Sequence, residues 1–238
     1  MNWKTFNKIF TQTQYRIHML KCYLNQMMVS LKHDCIDHDE YVQELEQDYK
    51  AKNLEFPEKQ WNEHRKIYDE IYPTYFYNSF MISACALFED QMNEICNLVK
   101  DEHKMPLYWD TLEGSVPFRL RKYLGLAGIS LKDAPANWND TWMASNTDKK
   151  FLTVKDLWNE LENYFRVRNC LAHHGGVISK MRYPDTLMRY CKNKDLYKDR
   201  GGKFEIVLNA DFNREVCDTF QKFVERLLGA YYSVPLPD

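Results

Sequence analysis

The residues of this chain whose types and spacing could do chemistry lie in one stretch, ELENYFRVRNCLAHHGG, at residues 160–176. Arg168 stands where the apolar stripe of a predicted helix should place a core residue. A guanidinium buried alone is costly, so Arg168 is expected to have a partner or to line a cleft. His173 and His174 follow at the end of the helix, where the partial negative charge of the helix terminus favours an imidazolium.

These residue types suit phosphodiester chemistry. A histidine that titrates near neutrality can take a proton from a hydroxyl or return one to a leaving oxygen. An arginine can stabilise the charge that develops on a phosphoryl group. Together they suit the cleavage of RNA by its neighbouring 2′-hydroxyl, a reaction that needs no metal.

Other interpretations of the same residues stay open. The Arg-x4-His spacing also arises by chance. Paired His and Gly residues at a helix end can have a purely structural role as a C-cap. In addition, Arg168 and His173 are offset by about 140° around an ideal helix, so one helix does not aim both at one point. Either the helix loosens before Gly175 or a second copy of the chain completes the site.

The run RNCLAH, followed by HGG, resembles the R-x4-6-H signature of the HEPN superfamily in its form with Asn after Arg. The segments TVKDLWNELENYFRV, ALFEDQMNEICNLVK and GSVPFRLRKYL resemble a bacterial group of HEPN-like proteins, so the resemblance covers roughly residues 77–230. It implies a small helical bundle that dimerises around a composite site. Many HEPN proteins are endoribonucleases that act as toxins or as effectors of antiviral defence, whereas others bind RNA or nucleotides without activity.

Carried over position by position, the resemblance implies catalytic roles for Arg168, Asn169 and His173. His174 takes the place of His173 only if the spacing is five. Glu89 is a candidate to orient the arginine, because acidic residues elsewhere in HEPN bundles can do so. The resemblance implies neither a metal nor a cofactor.

The partners implied by the resemblance are RNA and a second copy of the chain. An antitoxin or another defence-system protein is a further possible partner. Some HEPN toxins carry a Tyr two residues after the histidine, which a nucleotidyltransferase antitoxin modifies. Gly175 occupies this position here, so the motif itself does not imply that form of control.

Charge is unevenly distributed along a chain whose net charge is only −2. Residues 180–203 carry eight Lys or Arg against three Asp, and this stretch is a candidate to hold an RNA backbone, although a solvated surface loop fits equally well. Residues 34–58 carry nine acidic residues against two lysines. The candidate RNA-binding side chains are Arg119, Lys122, Arg166, Lys192 and Lys194.

Composition favours one mainly α-helical domain in the cytoplasm. The 238 residues are 45% apolar, with only 8 Gly and 8 Pro, so long helices with few turns are expected. The seven Cys form no C-x-x-C pair, and no apolar export signal opens the chain. The longest apolar run, residues 81–88, is too short for a bilayer. The His, Asp and Cys residues between His33 and Asp39 match no standard metal-ligand spacing.

The predicted fold is a HEPN-like helical bundle with a small β-hairpin before the C-terminal helix. The single domain, residues 1–238, comprises an N-terminal helical extension of about 1–60 and a core of about 77–232, with an irregular insertion of about 127–152. Apolar periodicity and capping signals predict helices over residues 5–32, 77–100, 116–126, 153–175 and 211–231. The acidic segment after residue 32 is expected to be a loop that leads into a short helix, and another helix should begin near Glu58, with a break at Pro73.

Overall fold

The computed structural model describes residues 3–133 and 153–233, and this part of the chain is mainly α-helical, as predicted. The helices are α1 (Trp3–Ala51), α2 (Glu58–Lys66), α3 (Tyr72–Glu102), α4 (Val116–Leu126), α5 (Val154–His174), α6 (Pro184–Asn193) and α7 (Ala210–Tyr232). The predicted hairpin is confirmed as two antiparallel strands before α7, β1 (Tyr197–Asp199) and β2 (Phe204–Ile206). Within the described residues, no helix combines the length and apolarity that a membrane span requires.

The core lies where α3, α5 and α7 meet, because each of these helices carries a wide apolar stripe. Phe88 of α3 stacks on Phe220 of α7, with ring centroids 4.3 Å apart. The same ring meets Phe223 at 5.6 Å and Phe165 of α5 at 6.3 Å, both edge-on. All four rings are at most 3% exposed. This packing fixes α5, the helix that carries the Arg-His motif, against the other two.

A polar network holds α6 against α5 and α7. The Tyr190 hydroxyl donates to Glu160 Oε2 at 2.8 Å, and Lys194 Nζ lies 2.5 Å from Glu215 Oε1, which also accepts from the Tyr164 hydroxyl. Helix α6 was not among the helices predicted from the sequence. Leu187 and Cys191 of α6, four residues apart, are both buried and carried the helical signal.

Helix α1 is longer than the sequence predicted. The predicted helix ended at residue 32, but α1 continues unbroken through the acidic segment to Ala51. The reason is an apolar seam whose members recur at alternating spacings of three and four residues, as in a coiled coil. Its half-buried members are Met28, Leu31, Cys35, His38, Val42, Leu45 and Tyr49. The acidic residues fall between these positions and do not interrupt the helix.

The second half of α1 packs against α2 and a π-helical turn, Ile67–Ile71, that leads into α3. We call residues 28–71 the arm. Rings of the two sides meet along its length, as in His38–Tyr68 with centroids 4.6 Å apart and Tyr41–Trp61 at 6.0 Å. The predicted break at Pro73 takes the form of this π-helical turn, since Pro73 lies in the first turn of α3 and has no N–H to donate.

The arm differs in burial and in charge from the rest of the described chain, which we call the body. No whole residue from 25 to 79 is buried, although the His38 side chain is only 8% exposed. Residues 34–71 contain twelve Asp or Glu and five Lys or Arg, a net charge of −7. Among the described residues, no group of three or more His, Cys, Asp or Glu side chains is arranged to hold a metal ion.

The start of α5 is fixed by a capping box, as the sequence predicted. The Thr153 hydroxyl accepts the Asp156 N–H at 3.2 Å, and Asp156 Oδ2 accepts the Thr153 N–H at 3.0 Å. The predicted irregular insertion lies immediately upstream. Its first residues include a 3₁₀ turn, Leu131–Asp133, and its remainder, residues 134–152, lies outside the described residues.

Thr153→Ala is expected to lower the free energy of unfolding by about 1 kcal/mol, because the Asp156 N–H loses the hydroxyl that accepts its hydrogen bond. Urea unfolding followed by circular dichroism measures this loss. Thr153→Ser keeps the hydroxyl and should retain most of the stability. Equal stability of the alanine variant and the wild type would show that the capping box contributes nothing to this helix.

Candidate functional site

The motif helix α5 remains regular to its last residue. It is α-helical through His174, and Gly175 ends it in the left-handed conformation with φ 60°. The N–H groups of Gly175 and Gly176 both donate to the Cys170 carbonyl oxygen, the second at 3.1 Å, so the two glycines close the helix end. Loosening of the helix before Gly175, one of the two ways to bring Arg168 and His173 together, is therefore wrong.

Arg168 is half-buried at the junction of α5 with α3. Its Nη1 donates to Asn169 Oδ1 at 3.0 Å, and its Nε is buried without a hydrogen-bond partner in the described residues. Burial raises the pKa of the Cys85 thiol on α3, and the positive charge of Arg168 partly opposes this increase. A guanidinium has five N–H donors, and within the described chain only the bond to Asn169 engages them. Arg168 therefore has donors left for an anion.

The two histidines differ in exposure. His173 is exposed and His174 is half-buried. On a regular helix the His173 ring points about 140° away from Arg168. Neither imidazole forms a hydrogen bond within the described residues. The His173 imidazole is therefore accessible to a group bound elsewhere than on α5. Because His173 is more exposed than His174, it is the better candidate of the two.

Glu89 lies next to the site but contacts another arginine. Its Oε1 lies 3.4 Å from Arg119 Nη2, and the Arg119 guanidinium sits over the Trp109 ring at 4.9 Å. Glu89 also contributes to the raised pKa of Cys85, so this pair lies on the same side of α3 as Arg168. The ion pair of Glu89 with Arg119 therefore links α3 to α4. Glu89 forms no ion pair with Arg168 in this structure.

The other candidate RNA-binding side chains fall into two groups. Arg166 pairs with Glu162 at 2.9 Å, and Lys194 with Glu215 at 2.5 Å, so both are partly neutralised. Lys122 is exposed on α4. Lys192 is exposed on α6, with its Nζ within 5.8 Å of the centroids of two aromatic rings of the hairpin.

The basic stretch 180–203 forms a surface built from α6 and the hairpin, which we call the basic surface. Its net charge is +5, from eight Lys or Arg and three Asp. Lys198 and Arg200 pair with Glu70 and Glu205. The exposed cations that form no ion pair within the described chain are Lys180, Arg182, Arg189, Lys192 and Lys203.

The contacts of Arg119 with Glu89 and with the Trp109 ring were not predicted from the sequence. Glu89 and Arg119 lie 30 residues apart in sequence, and only the packing of α4 against α3 brings them together. No local spacing signals such a pair. Comparison of the chain with protein-family models, with curated proteins and with solved structures found no match.

Proposed function

We propose that the protein is a metal-independent endoribonuclease of the HEPN type, acting as a homodimer in the cytoplasm. The observation that carries the proposal is Arg168, a half-buried arginine with unfilled donors on the same regular helix as an exposed histidine that faces another direction. In a dimer, Arg168 of one copy and His173 of the other can act on one phosphodiester. Such a site fits a toxin or an effector of antiviral defence, with a partner protein as its regulator.

The proposed reaction is an internal transfer within the RNA. The 2′-hydroxyl oxygen forms a bond to the adjacent phosphorus, and the bond from phosphorus to the 5′-oxygen breaks. His173 takes the proton of the 2′-hydroxyl or supplies one to the leaving 5′-oxygen. Arg168 stabilises the charge on the phosphoryl oxygens, and Asn169 holds its guanidinium. The products are a 2′,3′-cyclic phosphate and a 5′-hydroxyl.

A non-catalytic RNA-binding module is the second candidate. It is favoured by the ion pairs of Arg119 and Arg166, which leave the basic surface as the main contact for phosphates. Binding through that surface needs no proton transfer. Its signature is RNA binding that weakens steeply with salt while the RNA stays intact.

Incubation of the purified protein with mixed tRNA and mRNA in EDTA tests the proposal. We expect cleavage of RNA that leaves cyclic phosphate ends, with no cleavage of DNA of the same sequence, because DNA has no 2′-hydroxyl. Arg168→Ala should abolish the cleavage, whereas Arg166→Ala, two residues away and already paired with Glu162, should cleave at close to the wild-type rate. Cleavage by the Arg168→Ala protein at the wild-type rate would refute the assignment.

A further inference from the structure

Helix α3 exposes one face although it is the central helix of the body. It contacts α1, α4, α5 and α7, yet five residues on one side of its first half, residues 72–88, are exposed. At about 100° per residue these positions fall within an arc of about 80°. They are Tyr72, Tyr75, Ser79, Ser83 and Ala86.

The neighbouring part of α1 continues this exposed face. Tyr15, Met19 and Tyr23 succeed one another at intervals of four residues and are 62%, 46% and 52% exposed. The Tyr23 ring meets Phe76 and Phe80 of α3, with centroids 6.1 and 6.5 Å apart. The two stripes are therefore continuous across the groove between α1 and α3. We call them together the tyrosine face.

The tyrosine face is almost free of charge. Residues 72–88 of α3 contain no Asp, Glu, Lys or Arg. Residues 11–31 of α1 contain two such residues, and both are paired. Arg16 Nη1 lies 3.4 Å from Asp90, and Lys21 Nζ lies 2.8 Å from Asp218. An exposed surface that is uncharged and rich in tyrosine has the composition of the core of a protein interface.

Charge indicates which partner fits this face. At the axis of a two-fold symmetric dimer a patch meets its own copy, so a patch with a large net charge repels itself there. The acidic part of the arm, residues 34–71 at −7, and the basic surface, at +5, are both unsuited to meet their own copies. The tyrosine face carries only paired charges, and its small residues Ser79, Ser83 and Ala86 allow the α3 helices of two copies to approach closely.

We propose that the tyrosine face is the interface through which two copies of this chain dimerise. Helix α5, which carries Arg168 and His173, packs against α3, so pairing of α3 with its copy also draws the two motif helices toward one interface. The inference rests on the proposed function in one respect: this dimer is the one that a composite site of Arg168 and His173 requires.

Sedimentation equilibrium of the full chain with both Ser79→Glu and Ser83→Glu tests the interface. Four like charges then face one another across the symmetry axis, and we expect the dimer dissociation constant to rise by a factor on the order of 100 or more. The matched control is Gln43→Glu with Gln47→Glu, which places the same charges with the same spacing on exposed positions of the arm. The control should dimerise like the wild type.

Thiol cross-linking keeps the inference testable if the glutamate variant fails to fold. In a Cys22→Ser background no native thiol is exposed, since Cys35 is half-buried and the other five are buried. Single Ser79→Cys, Ser83→Cys and Ala86→Cys variants are then oxidised. We expect at least one of them to form a covalent dimer in high yield. Cross-linking by none of the three would overturn the proposal.

These measurements do not depend on RNA, so the two proposals fail separately. A wild-type dimer that the Ser79 and Ser83 changes dissociate establishes the interface even if RNA stays intact in every assay. A Ser79/Ser83 variant that remains dimeric overturns the interface, and if it still cleaves RNA the enzymatic proposal survives. A wild-type chain that stays monomeric up to the highest concentration measured also overturns it.

Discussion

Replacement of His173 by alanine is expected to lower the rate of RNA cleavage by a factor on the order of 10² to 10⁴, the usual contribution of a general acid or base. The free energy of unfolding should stay within about 0.5 kcal/mol of the wild type, because the side chain is exposed and bonds to nothing in the described chain. Single-turnover cleavage of a defined RNA, with urea unfolding of the same preparations, measures both quantities.

His174→Ala is the matched control for this change, and it should cleave at close to the wild-type rate. The reverse result, with His174 essential and His173 dispensable, would mean that the motif spacing is five and that the half-buried imidazole is the reactive one. Equal activity of both variants and the wild type would remove the motif histidines from the mechanism.

Mixing inactive variants tests whether the site is shared between copies. Arg168→Ala and His173→Ala each disable both sites of their own dimers. After subunit exchange in an equal mixture, half of the dimers contain both variants, and each of these has one site with both residues intact. The mixture should recover about a quarter of the wild-type rate. A mixture as inactive as its components would place both residues of a site on one chain.

Phe88→Ala is expected to lower the free energy of unfolding by about 3–5 kcal/mol, the range for a buried aromatic truncated to alanine. The Phe88 ring is 2% exposed and contacts rings of both α5 and α7, so its removal leaves a cavity where the three core helices meet. The shift of the urea midpoint at an unchanged slope measures the loss.

Phe118→Ala provides the comparison, because it deletes the same atoms from a side chain that is 52% exposed on α4. Its unfolding free energy should change by no more than about 0.5 kcal/mol. If both variants lost the same stability, the packing of α3 against α5 and α7 would not be the centre of the core.

The elements that could be predicted from the sequence are those fixed by local interactions. Thr153 and Gly175 bound α5 because a cap and a left-handed glycine act within a few residues of the helix end. The hairpin before α7 follows from Gly201 and Gly202, both of which have positive φ. The half-buried position of Arg168 follows from the apolar periodicity of its own helix.

The features that could not be predicted depend on contacts between distant segments. The acidic residues after Lys32 suggested a loop, but the seam of α1 is stabilised by aromatic residues of the arm such as Trp61 and Tyr68, which lie far along the sequence. The pairing of Glu89 with Arg119 depends on how α4 sits against α3. The sequence shows which charged and aromatic residues the chain contains, but it does not show which of them come into contact in the fold.

Because no whole residue of the arm is buried, the arm and the body tolerate substitution differently. In the body, most substitutions of core residues cost more stability than a marginally stable domain can lose. In the arm, most substitutions of exposed residues should change the free energy of unfolding by no more than about 0.5 kcal/mol. The surface of the arm can therefore be altered while the motif helix and the core of the body keep their structure.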